Sequence, residues 1–253
     1  MAKEANAQER ILNGASLEFA EKGFAGARMD SISKRANVNK AMIHYYYSNK
    51  EQLYSQILEL IFEKPGPINE FMVDIAGRNL SNREKIAAFI YFIVLSNLEI
   101  LNPVNHRILA WEFADGGKFL KNVIPNTLMP RLVSLVGLIN KGVEEGDFNL
   151  QSSLELIIWN MASTIMFFGQ NKMIVGKVYE NAPEELSFML GLKNSSPFDL
   201  YSLVIRNLFI NLGCDNEQVQ NFQLPISLQQ SIEDFANKIR RKNRGIHSCS
   251  QIS

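Results

Sequence analysis

Residues 38–53 read VNKAMIHYYYSNKEQL. Lys40, Lys50, His44 and three consecutive tyrosines fall inside this short run. No helical period buries Tyr45, Tyr46 and Tyr47 together, so at least one phenol faces outward. Lysine can donate to guanine acceptors, and a side chain as small as Ala41 can touch a thymine methyl. Tyrosine hydroxyls can donate to phosphate oxygens. The chemistry on offer is recognition, not bond breaking. A glycine-rich phosphate loop, paired metal-ligand spacing and a nucleophile elbow are all missing from the sequence. His44, His106 and His247 are scattered, and Cys214 and Cys249 lack metal or redox spacing. No catalytic residue, metal or cofactor is expected, so the chain does not read as an enzyme.

Such residues need a rod to carry them. Met29, Ile32 and Ala36 share one face at helical steps, which makes the stretch from Asp30 a short helix. Asn37 suits a chain reversal because asparagine tolerates the left-handed conformation. Val38 fits the angle between two helices, and Asn39 can cap the second. That second helix starts at Lys40 and turns Ile43 and Tyr47 inward. Two helices joined so tightly match a helix-turn-helix, whose second helix enters the major groove of DNA. Between Gly26 and Lys50 the cations Arg28, Lys34, Arg35, Lys40 and Lys50 face only Asp30, five minus one, or +4. The whole chain is formally neutral, so this basicity is local.

Helical spacing continues elsewhere, and strand signals are weak. An earlier helix carries Ile11, Ala15, Phe19 and either Leu17 or Glu18 on its apolar face, and ends at Gly23. Ser48 with Glu51, Ser81 with Glu84 and Ser152 with Glu155 have capping-box spacing. The first of these starts a helix that runs to about Ile61. Lys64-Pro65-Gly66-Pro67 reads as a boundary. Helices are predicted near 82–101, 104–115, 126–144, 152–169 and 198–212, with 170–197 harder to read. The fold class is all-α: an N-terminal three-helix helix-turn-helix domain and a larger C-terminal helical bundle. The apolar stretches Ile86–Leu95 and Leu156–Gly169 fall short of the roughly 20 residues that span a bilayer. No membrane role is expected, and the reading is of a cytoplasmic protein.

The run ILNGASLEFAEKGF followed by MDSISKRANVNKAMIHYYYSNKEQLY resembles the DNA-binding domain of TetR-family transcriptional regulators. The likeness covers Arg10 to about Leu60, a fifth of the chain. Three positions depart from the family pattern. Ala27-Arg28 stands where a hydroxyl residue usually starts the second helix, Asn37 replaces the turn glycine, and Tyr47 replaces a phenylalanine. The resemblance implies base contacts from Lys40, Ala41 and His44. It implies phosphate contacts from Met42, Tyr45, Tyr46 and Lys50, with Met42 where threonine is common; Arg28, at the place of the missing hydroxyl, can supply charge to a phosphate instead of a cap.

The same resemblance implies a homodimeric repressor that binds a palindromic double-stranded operator and answers to a small-molecule effector of unknown identity. Residues 1–49 form the DNA-binding domain, helix 50–62 links it, 63–213 bind effector and dimerise, and 214–253 are a C-terminal extension. The extension holds an amphipathic helix near 227–243 with Leu228, Ile232, Phe235 and Ile239 on its stripe, followed by a basic run. Effector contacts are expected from Trp111, Glu112, Phe113 and Asn160, with Glu112 toward solvent unless it holds a ligand. Dimer contacts are expected from Ile157, Ile158, Met161, Ile165, Leu203, Val204, Leu208 and Phe209. The alternative to DNA binding is an all-helical protein-interaction module whose basic helix meets an acidic partner.

Overall fold

The computed structural model describes residues 2–62, 66–100, 103–178, 183–191 and 195–247. Those residues form α-helices, one 3₁₀ helix and turns, with no strand among them. In chain order the helices are α1 (Ala2–Gly26), α2 (Met29–Ala36), α3 (Lys40–Tyr46), α4 (Lys50–Ile61), α5 (Gly66–Gly77), α6 (Asn82–Ile100) and α7 (Pro103–Ala114). Then come α8 (Leu120–Thr127), α9 (Met129–Glu144), α10 (Leu154–Val178), α11 (Pro197–Asn211), α12 (Asn216–Asn221) and α13 (Ile226–His247), with the 3₁₀ helix Glu184–Leu190 after α10.

The chain packs as two compact units, one of residues 1–67, 102–131 and 237–253, the other of 68–101 and 132–236. This grouping is by packing.

In the first unit α1 is the organising rod. Ile11, Ala15 and Phe19 are fully buried, as their spacing predicts. Of the two residues left open by that pattern, Glu18 is the buried one and Leu17 is exposed. Burial of Glu18 is tolerable because Arg35 of α2 donates to its carboxylate at 2.8 Å. Gly14 lets α2 approach closely: a Cβ there would sit 2.9 Å from the backbone nitrogen of Ala36. Near its end α1 kinks at Gly23, whose φ of 66° suits glycine. The kink delivers Phe24 into an aromatic knot, 4.5 Å from Phe119 and 5.1 Å from Tyr54 between ring centroids. Lys50 closes the knot. Its ammonium lies 4.5 Å from the Phe24 ring centroid and donates to the carbonyls of Phe24 (2.9 Å) and Ala27 (3.0 Å).

Glu112 of α7 corrects the expectation that it faces solvent: it is 1% exposed. Its face follows from spacing, because Ile108 and Leu109 lie one turn earlier on the same buried side. The chain turns through Gly116 and Gly117, both at positive φ, and returns the start of α8 to the carboxylate. Oε1 accepts the backbone N–H groups of Phe119 and of Leu120, the latter at 3.2 Å. These are donors a helix start leaves unpaired, and the partial positive charge there favours an anion. The carboxylate also raises the phenol pKa of Tyr54, after burial, the larger cause.

The second unit is built around α6. Its residues 86–92 are buried on every side, as in a helix surrounded by others. Phe71 of α5 stacks on Phe92 at 4.5 Å, and Phe235 of α13 joins them. Residues 226–236 of α13 dock there through Leu228 and Ile232, with Arg78 donating to Ser231 at 3.0 Å. The amphipathic helix expected in the extension is present and longer than predicted.

Several boundaries differ from expectation. The α4 cap is Asn49, not Ser48, because its side chain accepts the Gln52 N–H at 2.8 Å. Since α10 starts at Leu154, the hydroxyl beside Glu155 is that of Ser153, not Ser152. Ser81 and Glu84 do form a reciprocal cap. The helix predicted near 126–144 is two helices, α8 with Pro125 inside it and α9. Lys64 and Pro65 of the expected boundary lie outside the described residues, and Gly66-Pro67 open α5, which was not foreseen.

Two substitutions test these anchors. Glu112→Ala leaves two buried N–H groups unpaired, so it is expected to lower stability by about 2–4 kcal/mol, with Glu112→Gln costing less. Chemical denaturation of the three proteins checks the order. Lys50→Met keeps the aliphatic stem and removes the donors to two carbonyls, a loss of about 1–3 kcal/mol. Equal midpoints for Lys50→Met and the parent chain count against the clamp.

Candidate nucleic-acid interface

The α2–turn–α3 unit forms as its residues require. Asn37 adopts φ 50° and ψ 52°, the left-handed region. Its N–H reaches Lys34 O at 3.2 Å, and the Val38 N–H reaches Ser33 O at 3.1 Å, the paired bonds that close a helix end. Arg10 of α1 donates to the Asn37 carbonyl at 3.1 Å and holds the reversal from behind. Asn39 caps α3 by accepting the Met42 N–H at 2.7 Å. Ile43 and Tyr47 are buried as predicted, though Tyr47 sits just past the helix end. The Tyr47 hydroxyl finds a partner in Gln8 at 3.4 Å, and burial raises its pKa.

The opposite face of α3 is open. Lys40, Ala41, Met42, His44 and Tyr45 are exposed, Tyr45 by 80%, and Tyr46 is half-buried. The Tyr45 and Tyr46 rings meet edge to face at 5.1 Å, which fixes the two phenols relative to each other. Arg28 is exposed beside the start of α2 and makes no side-chain cap there. One small segment thus brings together the predicted base and phosphate contacts, except Lys50.

The charge pattern is more selective than the count of +4. Arg35 pairs with Glu18 and Glu21 of α1. Lys50 is half-buried on the Phe24 and Ala27 carbonyls, so its expected role as a phosphate contact gives way to an anchoring one. Lys40 meets Asp30 at 2.9 Å with both side chains exposed, and that bond holds the Asp30 carboxyl below its usual range. An exposed pair of this kind is weak and exchanges readily for a phosphate or base edge.

The expected effector residues are not arranged as predicted. Glu112 is buried against α8, while Trp111 and Phe113 are exposed. Asn160 is exposed on α10, in the other compact unit. The dimer expectation also needs correction. Ile157, Met161 and Ile165 of α10, and Val204, Leu208 and Phe209 of α11, are buried within the single chain. Ile158 is half-buried, and only Leu203 of that set is exposed. The outward faces carry other apolar residues: Leu156, Trp159, Met166 and Phe167 on α10, Leu203 and Ile210 on α11.

Residues 11–57 match the family model of bacterial regulatory proteins, tetR family. An HTH-type transcriptional repressor of Streptomyces coelicolor is 48% identical over 108 residues, 43% of this chain and 50% of the relative. The negative transcriptional regulator of the biofilm operon icaADBC from Staphylococcus epidermidis is 31% identical over 86 residues, 34% of this chain and 43% of the relative. The chain thus spans half or less of the length of these curated relatives. Among solved structures, the hemolysin II transcriptional regulator HlyIIR superposes with a TM-score of 0.52 at 24% identity, covering 70% of this chain and 94% of that one. A TetR-like transcriptional regulator from Rhodococcus sp. RHA1 gives 0.52 at 17% identity, covering 83% and 97%. At such identities the superpositions speak for the all-helical fold, and the match at residues 11–57 speaks for the amino-terminal module. The amino-terminal module is thus similar to that of the tetR family of bacterial regulatory proteins.

Proposed function

We propose that this protein is a sequence-specific DNA-binding transcriptional regulator, a homodimeric repressor that leaves its operator when a small molecule binds. The observation that carries the reading is α3: a short capped helix, pinned from behind by Ile43 and Tyr47, with its other face open. Lys40, Ala41 and His44 read base edges, while Arg28, Met42, Tyr45 and Tyr46 meet the phosphate backbone. Met42 contributes only packing or a methyl contact there, since a thioether gives phosphate no donor and its N–H is taken by the Asn39 cap. Lys50 positions the module. Residues 1–49 are the DNA-binding domain, 63–213 the effector and dimer domain, and 214–253 an extension. The place of action is the cytoplasm.

A single α3 covers only a few base pairs. Two-fold pairing sets two such helices about one helical turn, or a multiple, apart on a palindrome. The apolar outward faces of α10 and α11 supply the pairing surface. Effector release needs tighter binding to the arrangement that does not fit DNA, with coupling of about 1–3 kcal/mol.

Selection of bound sequences from random duplexes tests the whole reading. A palindrome is expected, and recovery of unenriched DNA at moderate salt sinks the proposal. On the selected site, Lys40→Ala is expected to relax preference at one base position and cost about 1–3 kcal/mol. Tyr45→Phe is expected to weaken all sequences alike, without changing which is preferred. For the dimer, Trp159→Glu is expected to give a folded monomer by sedimentation. Ile157→Glu, which buries a charge inside the chain, is expected to unfold instead. A dimer that survives Trp159→Glu combined with Leu203→Glu places the interface elsewhere.

A further inference from the structure

We propose that a cleft between α1 and α7 is a binding site for a planar organic anion, such as an aromatic carboxylate. The cleft holds about 590 Å³ and is lined by Ala20, Glu21, Lys22, Arg107, Ala110 and Trp111. That volume falls in the range of small-molecule sites, roughly 300–1,000 Å³. All of it lies in one compact unit.

Its walls are chemically distinct. Trp111 is held in place because its indole N–H donates to the Ala20 carbonyl at 3.3 Å. Its ring packs on Gly23, where a Cβ would come within 3.1 Å of Cδ2. The side chain is nonetheless 44% exposed, so a fixed aromatic surface borders the cleft. Ala20 and Ala110 leave room beside it. The one carboxylate in the lining, Glu21, is engaged by Arg35, which it shares with Glu18. Lys22 and Arg107 are exposed cations with no acidic partner among the described residues. A fixed indole that shares its cleft with two exposed cations suits a ligand with a flat ring and a carboxylate. The ring stacks on the indole, and the carboxylate takes the guanidinium as a bidentate partner. A simple oxyanion would use the cations and leave the indole unused.

The site also has a mechanical consequence. Trp111 braces the Gly23 kink, and the next residue is Phe24, whose carbonyl Lys50 holds. An occupant that shifts the indole bears on the link from α1 into α2. This regulatory consequence rests on the effector-responsive reading above; the binding itself does not.

The test uses the full chain carrying Trp159→Phe, which leaves Trp111 as the sole tryptophan. Its fluorescence is followed during titration with benzoate, cinnamate, benzamide and inorganic phosphate, without DNA. The carboxylates are expected to give a saturable change that benzamide and phosphate do not. Lys22→Ala and Arg107→Ala, both at exposed positions, are each expected to weaken binding about ten-fold, as for loss of one charge-assisted bond. An unaltered response in the double variant, an equal response to benzamide, no response to either carboxylate, or phosphate matching them overturns the proposal. Because DNA is absent, these outcomes are independent of whether the protein binds an operator.

Discussion

The geometry of this module depends on the hold that Lys50 keeps on the end of α1. A helix as short as α3, seven residues, has little stability of its own. Its orientation comes from what it packs against, and that scaffold ends in a kink. The kink at Gly23 turns Phe24 inward among Phe19, Tyr54 and Phe119. Lys50 then ties the two carbonyls that flank the α1–α2 connection to the first turn of α4. Buried polar backbone needs such partners, and an ammonium with three donors can serve two carbonyls and a ring face together. The orientation of α3 therefore depends on a cation spent on backbone carbonyls.

That division of labour explains the charges. The sequence places five cations around the turn, but two are structural. Arg35 neutralises Glu18, a carboxylate that α1 turns inward, and Lys50 serves the clamp. Arg28, Lys34 and Lys40 remain for the surface, Lys40 on loan to an exposed Asp30. Removing Arg35 or Lys50 alters the shape of the module, whereas removing Lys40 alters only its face. A basic count from sequence cannot separate these roles, because pairing partners such as Glu18 come from another helix.

What was legible follows the range of each interaction. The turn at Asn37, the cap at Asn39 and the inward Ile43 and Tyr47 are local, and spacing alone placed them. Caps at α4 and α10 slipped by one residue because Ser48 and Asn49, or Ser152 and Ser153, are adjacent and equally able to cap. Glu112 was misjudged for a different reason. A carboxylate between Trp111 and Phe113 looks solvated until its helical neighbours are read: Ile108 and Leu109 one turn earlier mark its face as buried. The glycine pair that returns α8 to it was present in the sequence as Gly116-Gly117. The partner of the charge is a helix start, which no composition reveals.

The same limit governs α10 and α11. Both helices carry apolar residues on more than one face, and hydrophobicity does not say which face meets its own chain. Ile157, Met161 and Ile165 recur at steps of four and are buried; Leu156, Trp159, Met166 and Phe167 lie on the other side and are exposed. Each stripe has the spacing of a packing face. A helix with only one would be complete once the chain folds. One with two stays unsatisfied on its outer side, and large exposed residues such as Trp159 then make the folded chain a surface that favours a second copy. The hydrophobic excess of α10 and α11 is thus divided between a face their own chain covers and a face left open to contact.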